Sequence, residues 1–424
     1  MRRVGIRAVV TLVAVLVLLA GTSGGDAIPV KQSLAAPYQF DVVQWEVTHF
    51  LSKWWRQLAG MLPGVLSSDK ERERAVEAYF ALAAEARSLR GELERALADP
   101  VEGQRVGAGL QSRLDDIEKQ RNGFRPVVEE ALEAEVTSVI AEMGIDGKLG
   151  PVRWPPVDFA LEASPLVLVT SPRREVRRLD DMVLRPSTSL LDQERLEGEI
   201  EAATDVAALV VRTGGIATYP AHVSPTGSLH DTLVLASHEW LHHHLFFRPL
   251  GVRWFGGGDM ASINETVANI AGREIGDRAF TRLTGQLVER PPYTPPRLEP
   301  PEAVEPGVFD FSREMRATRV RLEELLAEDQ VTDAEAHLEQ GRQRFVANGF
   351  PIRKLNTAYF AFHGTYADSS ASISQIEPQL QAVRADSGSL AEFLRRVSSV
   401  TRVGELEAKA REAGWRLPPA NKTR

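Results

Sequence analysis

Apolar residues in the segment 67–150 recur at helical spacing among many charges. Ser68, Asp69, Lys70 and Glu71 supply a capping signature, and Ala75, Tyr79, Leu82, Ala86, Leu89 and Leu93 then alternate by four and three, the seam of a heptad. Pro100, Gly103 and Gly107 predict a break. A charged helical stretch at 110–120 follows it, and after Gly123 and Pro126 a third pattern carries Val127, Leu132, Val136 and Ile140. The segment reads as a helical hairpin or small bundle with solvated charged faces. From Pro151 the pattern changes. Leu166-Val167-Leu168-Val169-Thr170 reads as a strand, 190–203 as a helix and 206–213 as a buried strand. Ile216-Ala217-Thr218-Tyr219-Pro220 reads as a further strand, and Pro220, which cannot donate to a ladder, places it at a sheet edge.

Two helical patterns separated by Gly256-Gly257-Gly258 fill 228–280, and the region 151–290 forms one α and β lobe. A proline-rich stretch, 291–306, reads as a loop or linker. Helices near 312–327, 333–348 and 354–367, with weaker ones before Gly414, make 307–416 a helical carboxy-terminal lobe ahead of a short tail, 417–424. The expected fold class is α+β and predominantly helical.

At 424 residues the chain has room for two or three domains with cores of their own. A net charge of -8 gives no reason to expect a nucleic-acid partner, and the absence of cysteine excludes disulfides and thiolate metal sites. Arg2, Arg3 and Arg7 precede an apolar run at 8–20, and Gly25-Asp26-Ala27 offers a small-x-small cleavage site. Residues 1–27 therefore predict an export signal or, if retained, a transmembrane anchor. Either places the body of the protein outside the cytoplasm, in the cell envelope, periplasm or beyond. The segment 28–66 is amphipathic and rich in aromatics, with Trp45, Phe50, Trp54 and Trp55, and suits either a membrane interface or a helix packed on the protein.

The chemistry concentrates in His238-Glu239-Trp240-Leu241-His242. Ser228 and Asp231 supply a helix start, no Gly or Pro interrupts 233–247, and Pro249 with Gly251 ends the run. On that helix residues four apart lie about 40° apart around the axis and roughly 6 Å along it, so both imidazoles project to one side. Two imidazoles suit Zn²⁺, and Glu239 lies beside the ion without being needed as a ligand, free to act as a base. His243 and His244 turn away on the same geometry. A catalytic zinc needs three protein ligands and an open position. Glu265, on the second helical pattern, is the candidate for the third. Ser262 and Glu265 also form a capping box, in which the carboxylate would only satisfy a backbone N–H. A fourth protein ligand, such as His230 or Asp259, would turn the site into a structural one.

HExxH followed by Asn264-Glu265 on the next helix resembles the gluzincin metallopeptidases, the thermolysin-like group, over about 206–280. The resemblance implies a zincin-like lobe, one Zn²⁺ held by His238, His242 and Glu265, Glu239 as catalytic base, and a peptide or protein substrate. It places Asn269 where the family has an aspartate orienting a ligand histidine. It makes Ala217, Thr218 and Tyr219 an edge strand that pairs with extended substrate. A second lobe closing on the zinc lobe would supply a Tyr or His for the oxyanion, and Tyr359 and His363, one helical turn apart, are the candidates. Two other readings stand beside it: a zinc hydrolase of a non-peptide substrate, and a noncatalytic membrane-associated helical protein with a vestigial zinc site.

Overall fold

The computed structural model describes residues 29–41, 45, 69–97, 99–145, 147–149, 152–179, 181–212, 215–216, 218–225, 227–254, 258–290, 309–363 and 376–416. A short helix, α1 (Pro29–Ala35), precedes the long hairpin of α2 (Asp69–Leu97) and α3 (Pro100–Glu142). The side chain of Asp99 caps α3 by accepting from the backbone N–H groups of Val101 and Glu102, and Pro100 occupies the first turn, where no donor is missed. The predicted break falls just before Pro100, between α2 and α3; α3 then continues through Gly103 and Gly107, and through Pro126. These two glycines serve close packing instead. A Cβ on Gly103 would lie 3.3 Å from the Ala96 carbonyl oxygen, and one on Gly107 would touch Leu191 and Leu97. The heptad residues are buried except Leu82, which is half-buried while Ala83 takes the seam, the drift expected of a straight helix at 3.6 residues per turn.

Among the described residues eight short strands make three small sheets. β1 (Gly147–Leu149) and β2 (Val152–Trp154) pair with each other. β3 (Phe159–Ala160), β4 (Leu166–Pro172) and β5 (Met182–Leu184) lead to helix α4 (Leu190–Ala203) and strand β6 (Val206–Arg212), and the antiparallel sheet β5-β4-β6 has β6 at an edge. That edge is closed by side chains. Glu201 accepts the Ala208 N–H at 3.0 Å, buried Glu197 accepts the Val210 N–H at 2.7 Å, and Asn356 donates to the Ala208 carbonyl at 3.0 Å. Arg353 then pairs with Glu197 at 2.7 Å, so the buried carboxylate is neutralised.

The third sheet corrects the expected substrate strand. β7 (Gly215–Ile216) and β8 (Ala221–Val223) are strands, but Thr218 and Tyr219 lie in a bend between them, and Ala217 is outside the described residues. The Thr218 hydroxyl donates to the Pro220 carbonyl at 2.8 Å, and the Thr218 carbonyl is engaged by the His243 ring at 2.7 Å. Those local bonds replace a ladder. β8 itself is central, parallel to β3 and antiparallel to β7.

Two helices then run side by side, α5 (Leu229–Phe246) and α7 (Gly258–Thr284), linked through α6 (Pro249–Arg253). The carboxy-terminal helices are α8 (Phe311–Ala327), α9 (Val331–Ala347), α10 (Thr357–His363), α11 (Ile376–Ala385), α12 (Leu390–Val397) and α13 (Val403–Glu412). They do not form one closing lobe. Leu380, Phe393 and Leu406 of α11–α13 share the largest core with Leu233, Trp240, Ile263 and Ile275 of α5 and α7, and with Tyr79, Leu132 and Val136 of the hairpin. Helices α8–α10 instead pack among themselves, and α10 covers β4 and β6. The architecture is predominantly helical with small sheets, as the pattern predicts.

The transmembrane helix left open by the amino-terminal pattern is a correction: among the described residues no helix is long and apolar enough to cross a membrane. The longest helices carry charge throughout. The apolar run at 8–20 lies outside the described residues and falls short of the roughly 20 residues a span requires. Residues 1–27, most of 28–66, the proline-rich stretch 291–306 and the tail 417–424 are likewise outside them. Trp45 is described and is buried, its ring stacked on His222 at 3.7 Å and its indole N–H donating to Glu162 at 3.0 Å, which is packing on the protein.

The α5–α7 contact depends on glycine. A Cβ on Gly272 would lie 2.8 Å from the Cα and N of His238, and one on Gly276 would lie 2.6 Å from the Cα of Val234. Backbone cannot yield as a flexible side chain can. Gly276→Ala is therefore expected to destabilise the fold by about 1–3 kcal/mol through overpacking, more than the roughly 1 kcal/mol by which Ala exceeds Gly as a helix former. Chemical denaturation of the variant checks this, and an unchanged or raised midpoint would contradict the close contact.

Candidate metal centre

Ser228 starts α5 as expected, its hydroxyl accepting the Asp231 N–H at 3.2 Å. Ten residues along, His238 and His242 stand one turn apart with ring centroids 4.7 Å apart and planes at 83°. Their Nε2 atoms face each other at 3.0 Å. Helix α7 brings the third group. It begins at Gly258, four residues before Ser262, so Glu265 sits in the helix interior and the capping-box reading does not hold. Its Oε2 lies 3.4 Å from the His238 Nε2 and its Oε1 3.7 Å from the His242 Nε2.

These separations are those of a ligand set. Tetrahedral Zn²⁺ with bonds of about 2.0–2.1 Å has ligand atoms roughly 3.3 Å from one another. The three donors lie within 4.8 Å of one another, and no other such group exists among the described residues. Among the described residues no fourth protein ligand joins them. The His230 Nε2 meets Asp277 at 2.7 Å, and Asp277 is further held by Arg290. Asp259, in the first turn of α7, is not part of the group. His243 holds the Thr218 carbonyl, and His244 is buried with its ring centroid 5.1 Å from that of Trp240.

The surrounding polar groups orient the donors. His242 donates its Nδ1–H to the Asn264 side-chain oxygen at 2.9 Å, which leaves the Nε2 lone pair facing Glu265 and His238. Asn269, one turn beyond Glu265 on α7, is near enough to His238 to favour its charged form. The missing Cβ at Gly272 lets α7 lie against the His238 backbone, and Trp254 sets its ring edge-on to His242 at 4.9 Å. The glycines four apart in one helix were a sequence signal for close helix contact; Asn264 stood in the quoted motif, but its hydrogen bond needed the fold.

Burial sets the charges. It pushes the Glu239 carboxyl up to about 7, with Glu265 adding to the rise and His238 opposing it. Burial lowers the His238 pKa, but its bond to Glu265 and the charge of Glu239 outweigh this and hold it above the usual histidine value. Burial and the charge of His238 drive His242 well below that value. Burial raises Glu265, but its bond to His238 and the charges of both histidines bring it below the usual carboxylate range. His238 and Glu265 thus favour one another's charged forms while burial favours the neutral imidazole of His242, and a metal would compete with protons for these donors.

Tyr359 and His363 are a correction. Their ring centroids lie 4.3 Å apart with planes tilted by 44° on α10, which covers Val169, Ala207, Leu209 and Val211 of β4 and β6. The aromatic stripe at helical spacing is packing, with Phe360 fully buried beneath it. No family model matches the chain, and no curated protein or solved structure matches it.

Between the ordinary glutamate value of 4.5 and about 7 the folded chain holds a proton on Glu239 that the unfolded chain releases, so folding loses stability as pH rises through that window. In metal-free protein the stability of Glu239→Gln relative to wild type is expected to increase between about pH 4.5 and about pH 8, by on the order of 3 kcal/mol. Urea denaturation at both pH values reads the difference; no change, or a change of opposite sign, would rule out a buried neutral Glu239.

Proposed function

We propose that this chain is an exported zinc-dependent metallopeptidase of the gluzincin type with a zincin-like catalytic lobe. The observation that carries the reading is the convergence of His238, His242 and Glu265 at ligand spacing with the buried carboxyl of Glu239 next to the first of them. Bound Zn²⁺ would polarise a substrate carbonyl and bring the pKa of a water toward about 7. Asn264 holds His242 with Nε2 as the donor atom. Glu239, ionised above about 7 in the metal-free chain, accepts the proton of the attacking water at its carboxylate and passes it to the leaving nitrogen. The proposed substrate is a peptide or protein. Export rests on the charge and hydropathy pattern of residues 1–27.

One observation favours a second reading, a zinc hydrolase of a non-peptide substrate. The stretch at Thr218 and Tyr219 is a bend with its Thr218 carbonyl taken by His243, so it offers no free edge for strand addition. A noncatalytic site is disfavoured by the absence of a fourth ligand among the described residues and by the cost of burying Glu239 where a structural zinc has no use for it.

Wild type and Glu239→Gln are compared for bound zinc and for cleavage of an unfolded protein and of a simple ester. About one zinc per chain in both, with protein cleavage at least 10²-fold slower in the variant, is the expected result. Zinc in both with only ester cleavage in the wild type would support the second reading, and a chain that binds no zinc would end both.

A further inference from the structure

A second charged cavity lies away from the metal centre, between the α2–α3 hairpin and the loops that follow β3 and β8. It has a volume of about 130 Å³ and is lined by Arg90, Arg121, Arg212, Glu118, Ser164 and Ser224, among others. Three guanidiniums thus face one carboxylate, and Glu118 is already engaged by Arg90. Arg121 is only 5% exposed, and its side chain donates at 3.1 Å to the neutral oxygen of Asn122. The Nε–H groups of Arg90 and Arg121 have no acceptor among the described residues. Arg212, the last residue of β6, reaches solvent in the cavity, and Glu94 and Glu118 act on it through their charges alone. Surrounding protein and the neighbouring charge of Arg90 lower its pKa to about 10, which leaves it a cation at neutral pH.

Buried guanidinium donors without acceptors are costly, and like charges brought together add to the cost, so an arrangement of this kind is relieved by an anion. The number of donors selects the anion. Arg90, Arg121 and Arg212 exceed Glu118 and the nearby Glu94 by one positive charge, and three guanidiniums beside two hydroxyls offer more donors than the two oxygens of a carboxylate can take, which favours the three oxygens of a phosphate group. Planar guanidinium forks match phosphate oxygens in pairs. The hydroxyls of Ser164 and Ser224, 3.0 Å apart, stand in the same wall. Arg212 also borders a larger cavity of about 460 Å³ whose wall includes Leu190, Leu209, Val211 and Phe362. A phosphate seated at Arg212 therefore has room for an apolar body beyond it.

We propose that Arg90, Arg121 and Arg212 form a binding site for the phosphate group of a small molecule, a site distinct from the metal centre. Inorganic phosphate and hexyl phosphate are titrated calorimetrically into the full chain, as wild type, Arg212→Gln and Arg212→Lys, with thermal midpoints of the free proteins measured alongside. Binding of both probes to wild type, weakened at least about tenfold by Arg212→Gln and less by Arg212→Lys, at unchanged midpoints, is the expected result. Tighter binding of hexyl phosphate would assign the site to a phosphorylated amphiphile, and equal binding to free phosphate or a small polar ester; both support the site. Failure of either probe to bind, or binding that Arg212→Gln leaves unchanged, as for phosphate held at the metal centre, overturns it.

Discussion

Everything at the metal centre depends on how closely two helix backbones approach. His238 and His242 are fixed to each other by one turn of α5, but Glu265 belongs to another helix, and its carboxylate reaches them only because α7 lies against the backbone of α5. Gly272 and Gly276 are where that contact is made, each leaving no space for a Cβ. A larger residue at Gly272 would move α7 away from His238 itself. A spacing of 3.0 Å between the two imidazole nitrogens, and of 3.4 and 3.7 Å from them to the two oxygens of Glu265, tolerates little such displacement.

The rest of the molecule holds that contact in place. The helical hairpin and the last three described helices contribute to the same core as α5 and α7, so the centre is braced on both sides rather than set on a free-standing lobe. Burial in that core has an electrostatic consequence. It raises the Glu239 carboxyl, suppresses protonation of His242, and leaves His238 and Glu265 to balance one another. The small sheets serve other ends: β6 is sealed by Glu197, Glu201 and Asn356, and α10 covers its inner face.

The cluster of His238, His242 and Glu265 was legible in sequence because its information is local. HExxH brings two imidazoles together through helix periodicity alone, and the Asn-Glu pair on the next helical pattern marked the third candidate ligand. Ser228 and the helix 190–203 were equally readable, since caps and apolar periodicity act over a few residues. What escaped depends on long-range packing. Gly103 and Gly107 looked like breakers but are spacers beneath Leu97 and Leu93. Thr218 and Tyr219 had strand composition, yet bonds to Pro220 and His243 hold them in a bend. Tyr359 and His363 carried suitable chemistry at a suitable spacing, and only the docking of α10 on β4 and β6 shows that it serves packing. The arginines around Arg212 come from α2, α3 and β6, too far apart in sequence for any motif to join them.

The central claim is that His238, His242 and Glu265 together hold one zinc ion. Zinc-edge X-ray absorption on the purified chain, wild type and Glu265→Gln, reads it most directly. Two imidazole nitrogens and carboxylate oxygen at about 2.0–2.2 Å with a further light atom, and loss of one protein ligand in the variant, is the predicted result. A first shell that the variant leaves unaltered, or zinc bound without imidazole, would contradict the account.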